Sequence, residues 1–274
     1  MKKILAIMYD FDKTLCTKDM QEYTFIPDLE MSVDEFWSEA NKLRENVKMD
    51  QVLTYMYLMV KKTNDRGKKL TKEYLNKIGA DIELFAGVKE WFKRINDYAD
   101  KHGIIVEHYI ISSGVKEIIE GSVIGKYFKQ IYASEFYYDE TGSAVWPKTA
   151  INYTNKTQFL MRINKGILDT SDDILINKKM NDADKRIPFS NMIYIGDGIT
   201  DVPCMKLTKD GGGVSIAVYT EKSKEIAQTL REDNRVNYLV QADYQKNSKM
   251  EEIVKNYIDT MSLKMELDDI SDNK

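Results

Sequence analysis

The sequence predicts an α/β protein built on a doubly wound, mainly parallel sheet, with a helical unit inserted after the first strand. Short apolar runs alternate with amphipathic helical patterns along most of the 274 residues, as in a series of βαβ units. The alternation is interrupted between about residues 16 and 84, where no strand-like run occurs. We therefore expect a sheet domain formed by residues 1–15 and 85–274, and an inserted helical domain formed by residues 16–84.

Four apolar runs predict buried strands. The first, Ile4–Tyr9, stops abruptly at Asp10 and is apolar throughout, which is typical of a parallel strand covered on both faces. The other three runs are Ile104–Ile111, Met192–Ile195 and Val214–Val218. Two further extended runs flank Asp139-Glu140-Thr141-Gly142, and this turn-forming segment predicts a β-hairpin.

The inserted unit has the pattern of three helices. Ser32-Val33-Asp34-Glu35 has the spacing of a capping box, in which Glu follows Ser by three residues, and it predicts a helix over Val33–Val47. Helical apolar spacing predicts two more helices, at about Gln51–Lys61 and Thr71–Ile78. The apolar residues of Val88–Ala99 also share one helical face, so this helix returns the chain to the sheet.

Composition excludes several classes of protein. With 40 basic and 44 acidic residues the net charge is −4, so we expect no nucleic-acid partner and no membrane partner. No apolar run reaches the roughly 18 residues of a membrane span. Cys16 and Cys204 form neither a disulfide framework nor a zinc-binding spacing, so we expect a cytoplasmic protein; the sequence does not specify its oligomeric state. The charged segments at 169–186 and beyond Leu263 predict a surface excursion and a frayed tail.

Two acidic motifs directly follow two of the predicted strands. Asp10-Phe11-Asp12-Lys13-Thr14 follows the first, and Gly196-Asp197-Gly198-Ile199-Thr200-Asp201 follows the Met192–Ile195 run. Because the carboxyl ends of parallel strands meet at one edge of a sheet, we expect the four carboxylates to converge there. Neighbouring carboxylates repel one another, and Mg²⁺ suits a site with few carboxylates and several waters. Alone, the first motif is equally well explained by an Asx-turn or a helix cap.

Two further positions are suited to holding an anion. Ser112-Ser113-Gly114 ends the Ile104–Ile111 run and precedes a predicted helix, where a hydroxyl and free N–H groups can bind an anion. Lys156 begins an amphipathic helix, where the helix dipole disfavours a cation, so its charge suggests another use. Each also fits an ordinary structural role, the first as a helix cap and the second as one of many surface lysines.

Taken in chain order, these four motifs resemble those of the haloacid dehalogenase superfamily, and especially its phosphoserine-phosphatase-like branch with a helical cap. The resemblance covers about residues 4–220. It implies a Rossmann-like core for the sheet domain and a cap for the insert. It also implies a Mg²⁺-dependent phosphomonoester hydrolase that acts on a small phosphorylated metabolite through an aspartyl-phosphate intermediate.

The resemblance implies a role for each acidic residue. Asp10 would be the nucleophile, and Asp12 would protonate the leaving group and then deprotonate the attacking water. Thr14 would support that pair. Mg²⁺ would be bound by Asp10, by the backbone carbonyl of Asp12 and by Asp197, with Asp201 acting directly or through water.

The same resemblance implies which residues hold the substrate. Ser112 and Lys156 would bind the phosphoryl oxygens, with help from the backbone N–H of Ser113 or Gly114. Phosphoserine phosphatases carry a Glu shortly after the first motif that holds the substrate amine. The corresponding position here is Asp19, which argues against serine phosphate as the substrate.

Other functions share parts of this pattern. A phosphomutase or phosphotransferase of the same superfamily would use the same motifs. A dehalogenase is disfavoured because it needs no Mg²⁺ and would leave Asp12 and Asp197 without a use. A phospho-acceptor signalling domain also combines an acidic cluster, a Ser or Thr and a Lys on a parallel sheet. It places its acidic pair about one strand before the acceptor, however, whereas Asp10 and Asp12 share one strand end.

Overall fold

A seven-stranded sheet forms the centre of the structure, a computed structural model in which residues 3–272 are described. In chain order the strands are β1 (Lys3–Tyr9), β2 (Ile104–Val115), β3 (Phe128–Tyr138), β4 (Ala144–Thr149), β5 (Met192–Gly196), β6 (Val214–Tyr219) and β7 (Tyr238–Gln241). Their order across the sheet is β4-β3-β2-β1-β5-β6-β7, and all neighbours are parallel except β3 and β4. The doubly wound, mainly parallel α/β fold is confirmed, and the antiparallel β3–β4 pair is the predicted hairpin.

Helices fill the segment that interrupts the alternation of strands. They are α1 (Phe25–Asp28), α2 (Val33–Val47), α3 (Gln51–Asp65) and α4 (Lys72–Ile78). The capping box that begins α2 is present, because Ser32 Oγ accepts the N–H of Glu35 while the Glu35 carboxylate accepts the N–H of Ser32. Asp50 precedes α3, and its side chain accepts the N–H groups of Val52 and Leu53 in the first turn. The three predicted helices are confirmed, and α1 is an additional short one.

The remaining helices cover both faces of the sheet. They are α5 (Val88–Lys101), α6 (Lys116–Gly121), α7 (Thr157–Lys165), α8 (Asp173–Asn177), α9 (Val202–Asp210), α10 (Lys224–Glu232) and α11 (Lys249–Asp272). Leu5, Ile7 and Tyr9 pack into one hydrophobic cluster with α5, α6 and α11, whereas Ala6 and Met8 pack into a second with α7 and α9. Alternate side chains of β1 thus enter opposite cores, which is why its sequence is apolar from Ile4 to Tyr9.

The insert packs directly on the sheet domain. A Cβ atom at Gly121 of α6 would lie 1.8 Å from the Asn76 carbonyl oxygen of α4, and one at Gly79 would lie 2.2 Å from the Ile118 carbonyl oxygen. Only glycine at both positions lets the two backbones approach this closely. Met56 of α3 joins the hydrophobic cluster that contains the sheet. One face of the insert is therefore held in contact with α6.

The two chain segments that join the insert to the sheet domain are paired with each other. The N–H of Thr17 donates to the Glu83 carbonyl at 3.0 Å, and the N–H of Phe85 donates to the Leu15 carbonyl at 3.0 Å. The chain thus enters and leaves the insert at adjacent points. The pairing coincides with the predicted boundaries near residues 15 and 84, and the division into two domains stays a prediction.

The end of the chain differs from the sequence prediction. The tail expected to fray from Leu263 is instead part of α11, which continues to Asp272. Its first half is anchored by buried Met250 and Val254, and Lys3 forms an ion pair with Asp268 at 2.7 Å near its end. The predicted surface excursion at 169–186 is mostly exposed and contains the short helix α8.

A buried histidine lies beside the strand that ends at Asp10. His108 of β2 has its Nδ1 3.0 Å from Tyr9 Oη and its Nε2 2.9 Å from Asn96 Oδ1. Burial lowers the pKa of His108 to about 3, so the folded protein holds a neutral ring. The imidazole therefore serves as a hydrogen-bonded core residue beneath the site.

We expect His108 to reduce stability as the pH falls. Below its ordinary pKa of 6.5 the unfolded chain binds a proton that the folded state excludes. The contribution of the neutral His108 ring to the free energy of unfolding is complete above about pH 6.5 and is lost progressively toward pH 3. Between pH 7 and pH 5 the loss is about 2 kcal/mol. In His108→Gln this part of the loss should disappear, which urea unfolding at each pH measures. The matched control, His102→Gln, changes a partly exposed ring; a His108→Gln protein that keeps the wild-type pH dependence would contradict the prediction.

Candidate active site

Four of the predicted site residues, Asp10, Lys156, Asp197 and Asp201, meet at the carboxyl edge of the sheet. Tyr9 is paired with Ile110 of β2 on one side and with Ile195 of β5 on the other, and the N–H of Asp10 donates to the Ile195 carbonyl at 2.9 Å. Since the three strands are parallel, the segments that follow them emerge at the same edge. Asp10 therefore lies between the segment Ser112-Ser113-Gly114, here called the Ser112 loop, and the acidic motif after β5.

Asp10, Asp197 and Asp201 form an acidic triad, in which one carboxylate oxygen from each lies within 4.8 Å of the others. Asp201 can enter because residue 196 is glycine; a Cβ atom there would lie 2.6 Å from the Asp201 carboxyl carbon. Asp201 Oδ1 accepts from Tyr194 Oη at 2.7 Å, while its Oδ2 is buried and has no hydrogen-bond partner within residues 3–272. A buried, unpartnered carboxylate oxygen beside two other carboxylates is suited to a cation. The triad could therefore bind a metal ion.

Lys156 is the cation buried within this triad. Its side chain is 1% exposed, and its Nζ lies 3.0 Å from Asp10 Oδ1 and 2.7 Å from Asp201 Oδ1. Burial opposes the charge of the ammonium, but the two carboxylates outweigh it and raise the pKa of Lys156. Lys156 directly precedes α7, as the sequence predicts. Lys156 thus contacts two of the three carboxylates of the triad.

Two carboxyl groups of the triad, those of Asp10 and Asp197, are destabilised in their charged form. Burial raises the pKa of Asp10 to about 6, with Lys156 opposing the shift and Asp201 adding to it. Burial also raises the pKa of Asp197, and the charges of Asp10 and Asp201 add to that shift. Desolvation and like-charge repulsion are the two costs that a bound divalent cation would relieve.

The expectation that four carboxylates converge is wrong for Asp12, which lies outside the triad and whose side chain contacts the insert. Its Oδ1 accepts the N–H of Met20 at 2.9 Å, and a Cβ atom at Gly114 would lie 3.1 Å from its Oδ2. The chain turns away from the strand at Lys13, which has a left-handed backbone with φ 56°. Burial, and then the charge of Asp19, raises the pKa of Asp12 well above its usual range. Burial and neighbouring negative charge therefore both disfavour the ionised form of Asp12.

Thr14 makes no side-chain hydrogen bond to either aspartate of its motif. Its Oγ1 is buried and lacks a partner in the described part of the chain. Its carbonyl oxygen accepts from Tyr244 Oη at 2.8 Å, and the N–H of Tyr244 donates to the Ala86 carbonyl at 2.9 Å. Tyr244 thereby connects the loop after β1 to the segment that leaves the insert.

The Ser112 loop is organised differently from the prediction. β2 continues through Val115, so α6 begins only at Lys116 and its first turn does not form the loop. Instead, Ser112 Oγ accepts the N–H of Gly114 at 3.0 Å. The Ser113 carbonyl accepts from Tyr55 Oη at 2.5 Å and from Ser134 Oγ at 3.2 Å. Side-chain hydroxyls therefore hold the loop.

Three tyrosines in contact with the site were outside the predicted set. Tyr55 is on α3, Tyr194 is on β5 and Tyr244 follows β7. All three are buried and use the hydroxyl. The one sequence signal is residue type, because a buried tyrosine needs a hydrogen-bond partner that phenylalanine would not. Helical spacing alone places Tyr55 only in the core of the insert.

Comparison with known proteins identifies the family. The profile of haloacid dehalogenase-like hydrolases matches residues 7–206. The chain therefore belongs to the haloacid dehalogenase-like hydrolases, and the resemblance inferred from the four motifs is confirmed. An uncharacterized protein of Borreliella burgdorferi is 27% identical over 278 residues, which cover 91% of this chain and 94% of that protein.

Solved structures share the fold. A phosphoserine phosphatase in a phospho-aspartyl intermediate analogue state has a TM-score of 0.55 at 17% identity, covering 93% of this chain and 99% of that one. A substrate-bound phosphoserine phosphatase has a TM-score of 0.56 at 16% identity, with the same coverage. A haloacid dehalogenase family hydrolase of Salmonella enterica serovar Typhi has a TM-score of 0.57 at 17% identity, covering 87% of this chain and 67% of that one. Among the helices of residues 3–272, none is long and apolar enough to cross a bilayer.

Proposed function

We propose that this hydrolase is a Mg²⁺-dependent phosphatase that cleaves a small phosphate monoester through an aspartyl-phosphate intermediate on Asp10. The observation that carries the proposal is the Asp10–Asp197–Asp201 triad at the carboxyl edge of the sheet, in which buried Lys156 contacts Asp10 and Asp201. Phosphoryl transfer depends mainly on positioning and on neutralising negative charge, and this arrangement offers both. Family membership and the phosphoserine phosphatase fold support the same reaction class.

The protein groups divide the reaction between them. A carboxylate oxygen of Asp10 attacks phosphorus, the bond from phosphorus to the leaving oxygen breaks, and Asp12 gives that oxygen its proton. Water then attacks the aspartyl phosphate, Asp12 takes a proton from it, and the acyl phosphate bond breaks to release inorganic phosphate and Asp10. Lys156 and Ser112 hold the phosphoryl oxygens, together with the backbone N–H of Ser113.

The residues present fit a magnesium ion. Asp10, Asp197 and Asp201 would hold it together with the backbone carbonyl of Asp12. The Oδ2 of Asp201 supports this assignment, because this buried oxygen has no hydrogen-bond partner in the described residues and would gain one in the ion. When bound, the ion supplies positive charge that offsets the carboxylates and the phosphoryl group. The insert at residues 16–84 would be the cap that covers this edge and selects the ester.

We expect hydrolysis of p-nitrophenyl phosphate to require Mg²⁺. EDTA should abolish the activity and added Mg²⁺ should restore it. Asp197→Asn removes one of the three carboxylates and should raise the Mg²⁺ concentration for half-maximal activity by about tenfold or more. Losing a residue that only hydrogen-bonds to a metal ligand already costs about that much. Asp210→Asn, at an exposed carboxylate paired with Lys206, is the matched control and should behave like the wild type. Full activity in EDTA would refute the proposed function.

A further inference from the structure

We propose that Tyr55 of the insert is a positioning residue that orients the Ser112 hydroxyl for phosphate binding. On this proposal the phosphate-binding loop is fully formed only while the insert is docked on the sheet domain. The inference rests on the proposed function, because it takes Ser112 as a residue that holds the phosphoryl group.

The link from Tyr55 to Ser112 passes through one peptide group. Tyr55 is 5% exposed, and its Oη donates to the Ser113 carbonyl oxygen at 2.5 Å. That oxygen and the N–H of Gly114 belong to the same planar, trans peptide, so they point in opposite directions. Holding the oxygen therefore fixes the direction of the N–H. The Gly114 N–H donates to Ser112 Oγ at 3.0 Å.

This contact determines what the Ser112 hydroxyl can do. A serine hydroxyl has one hydrogen to donate and two lone pairs that accept. The Gly114 N–H occupies a lone pair, so the hydrogen of Ser112 remains for another acceptor. Phosphoryl oxygens are acceptors that carry negative charge, and a hydrogen bond to them is of the stronger, charge-assisted kind. Tyr55 thus favours the orientation in which Ser112 is a phosphate donor.

The same helix is also bonded to the segment before Lys156. Asp50, which begins α3, accepts from Asn152 Nδ2 at 2.9 Å through its Oδ2. The Asn152 carbonyl in turn accepts the N–H of Lys156 at 3.2 Å. Ser134 joins the two loops, because its Oγ donates to the Ser113 carbonyl and accepts the N–H of Ile151 at 3.0 Å. One helix of the insert therefore contacts both segments that bind phosphate.

Without its bond to Ser113 the buried hydroxyl of Tyr55 would lower the stability of the fold. Phenylalanine would fill the same space in the core, whereas a buried hydroxyl without a partner is destabilising. The Ser113 carbonyl, which belongs to the sheet domain, supplies that partner. The bond thus ties docking of the insert to the geometry of the Ser112 loop.

The test compares Tyr55→Phe with Tyr57→Phe. The control lies on the same helix and loses the hydroxyl of a ring that is 50% exposed. Inorganic phosphate binding in Mg²⁺ is measured by calorimetry, and KM and kcat are measured with p-nitrophenyl phosphate. Tyr55→Phe should weaken phosphate binding and raise KM by about tenfold, which corresponds to the loss of one buried hydrogen bond. The change in kcat should be smaller. Tyr57→Phe should leave all three values unchanged.

A second background separates positioning from a general structural effect. In Ser112→Ala, the group that Tyr55 orients is missing, so adding Tyr55→Phe should weaken phosphate binding by less than about twofold. An equal loss in both backgrounds, or a Tyr55→Phe protein that matches Tyr57→Phe, would overturn the inference. A wild type that binds phosphate but hydrolyses no ester would refute the proposed function, and the binding comparison would still decide the role of Tyr55. A wild type that binds no phosphate would overturn the inference as well.

Discussion

Replacing Asp10 with asparagine should abolish turnover while leaving the protein folded. The two side chains have nearly the same shape, and the asparagine amide oxygen can still accept the bond that Lys156 gives to Asp10 at 3.0 Å. The amide is a poor nucleophile, so we expect the rate on p-nitrophenyl phosphate to fall on the order of 10³–10⁶-fold. Initial rates measure the effect, and circular dichroism during heating verifies the fold.

The position of the covalent intermediate provides an independent check. In crystals grown with beryllofluoride, which mimics a phosphoryl group on a carboxylate, the adduct should lie on Asp10. Asp210→Asn, at an exposed carboxylate of α9, should form the same adduct and keep wild-type rates. An adduct on Asp12 would show that the nucleophile has been assigned to the wrong residue.

Replacing Asp12 with asparagine should also cause a large loss, and one that depends on the leaving group. The Asp12 side chain lies outside the acidic triad and next to Gly114. Its carboxylate is therefore not one of the proposed metal ligands. If it transfers a proton, its loss should cost on the order of 10²–10⁴ in rate with an alkyl phosphate, whose leaving oxygen needs protonation. With p-nitrophenyl phosphate the loss should be smaller, because p-nitrophenolate leaves readily without a proton.

The comparison of the two esters is itself the measurement. The ratio of kcat values for the alkyl and aryl esters should change in Asp12→Asn, whereas Asp10→Asn should lose activity on both esters, since every ester needs the nucleophile. The same loss on both esters in Asp12→Asn would argue against proton transfer by this residue. The fold of the variant is checked by its unfolding midpoint in urea.

The motifs at strand ends could be predicted from sequence because the signal there is local. A parallel strand buried on both faces is apolar throughout, so the change from Tyr9 to Asp10 shows where the strand stops. Parallel pairing then brings such ends to one edge without any knowledge of distances. This is why the meeting of Asp10, Asp197 and Asp201 follows from the sequence, as does the helix that Ser32 begins.

The contacts made by tyrosine hydroxyls could not be predicted in the same way. Tyr55 and Ser113 are 58 residues apart, and Tyr244 and Thr14 are 230 apart, so no periodic pattern relates them. Periodicity reports which side of a helix is buried, but not which atom of another element it meets. The strand β7 escaped prediction for a different reason, because it has four residues and two of them, Tyr238 and Gln241, are exposed.

The strand order has a consequence for how the protein is made. Of the seven strands of this sheet β1 is synthesised before the others, yet it lies in the middle of the sheet, between β2 and β5. At about 5–20 residues per second, roughly 10–40 s pass between synthesis of Asp10 and of Asp197, so the acidic triad forms late on the ribosome. During that interval one edge of β1, which is apolar from Ile4 to Tyr9, lacks its neighbour and can pair with another chain. We therefore expect a nascent chain that stops before Met192 to aggregate more readily than the chain that includes β5.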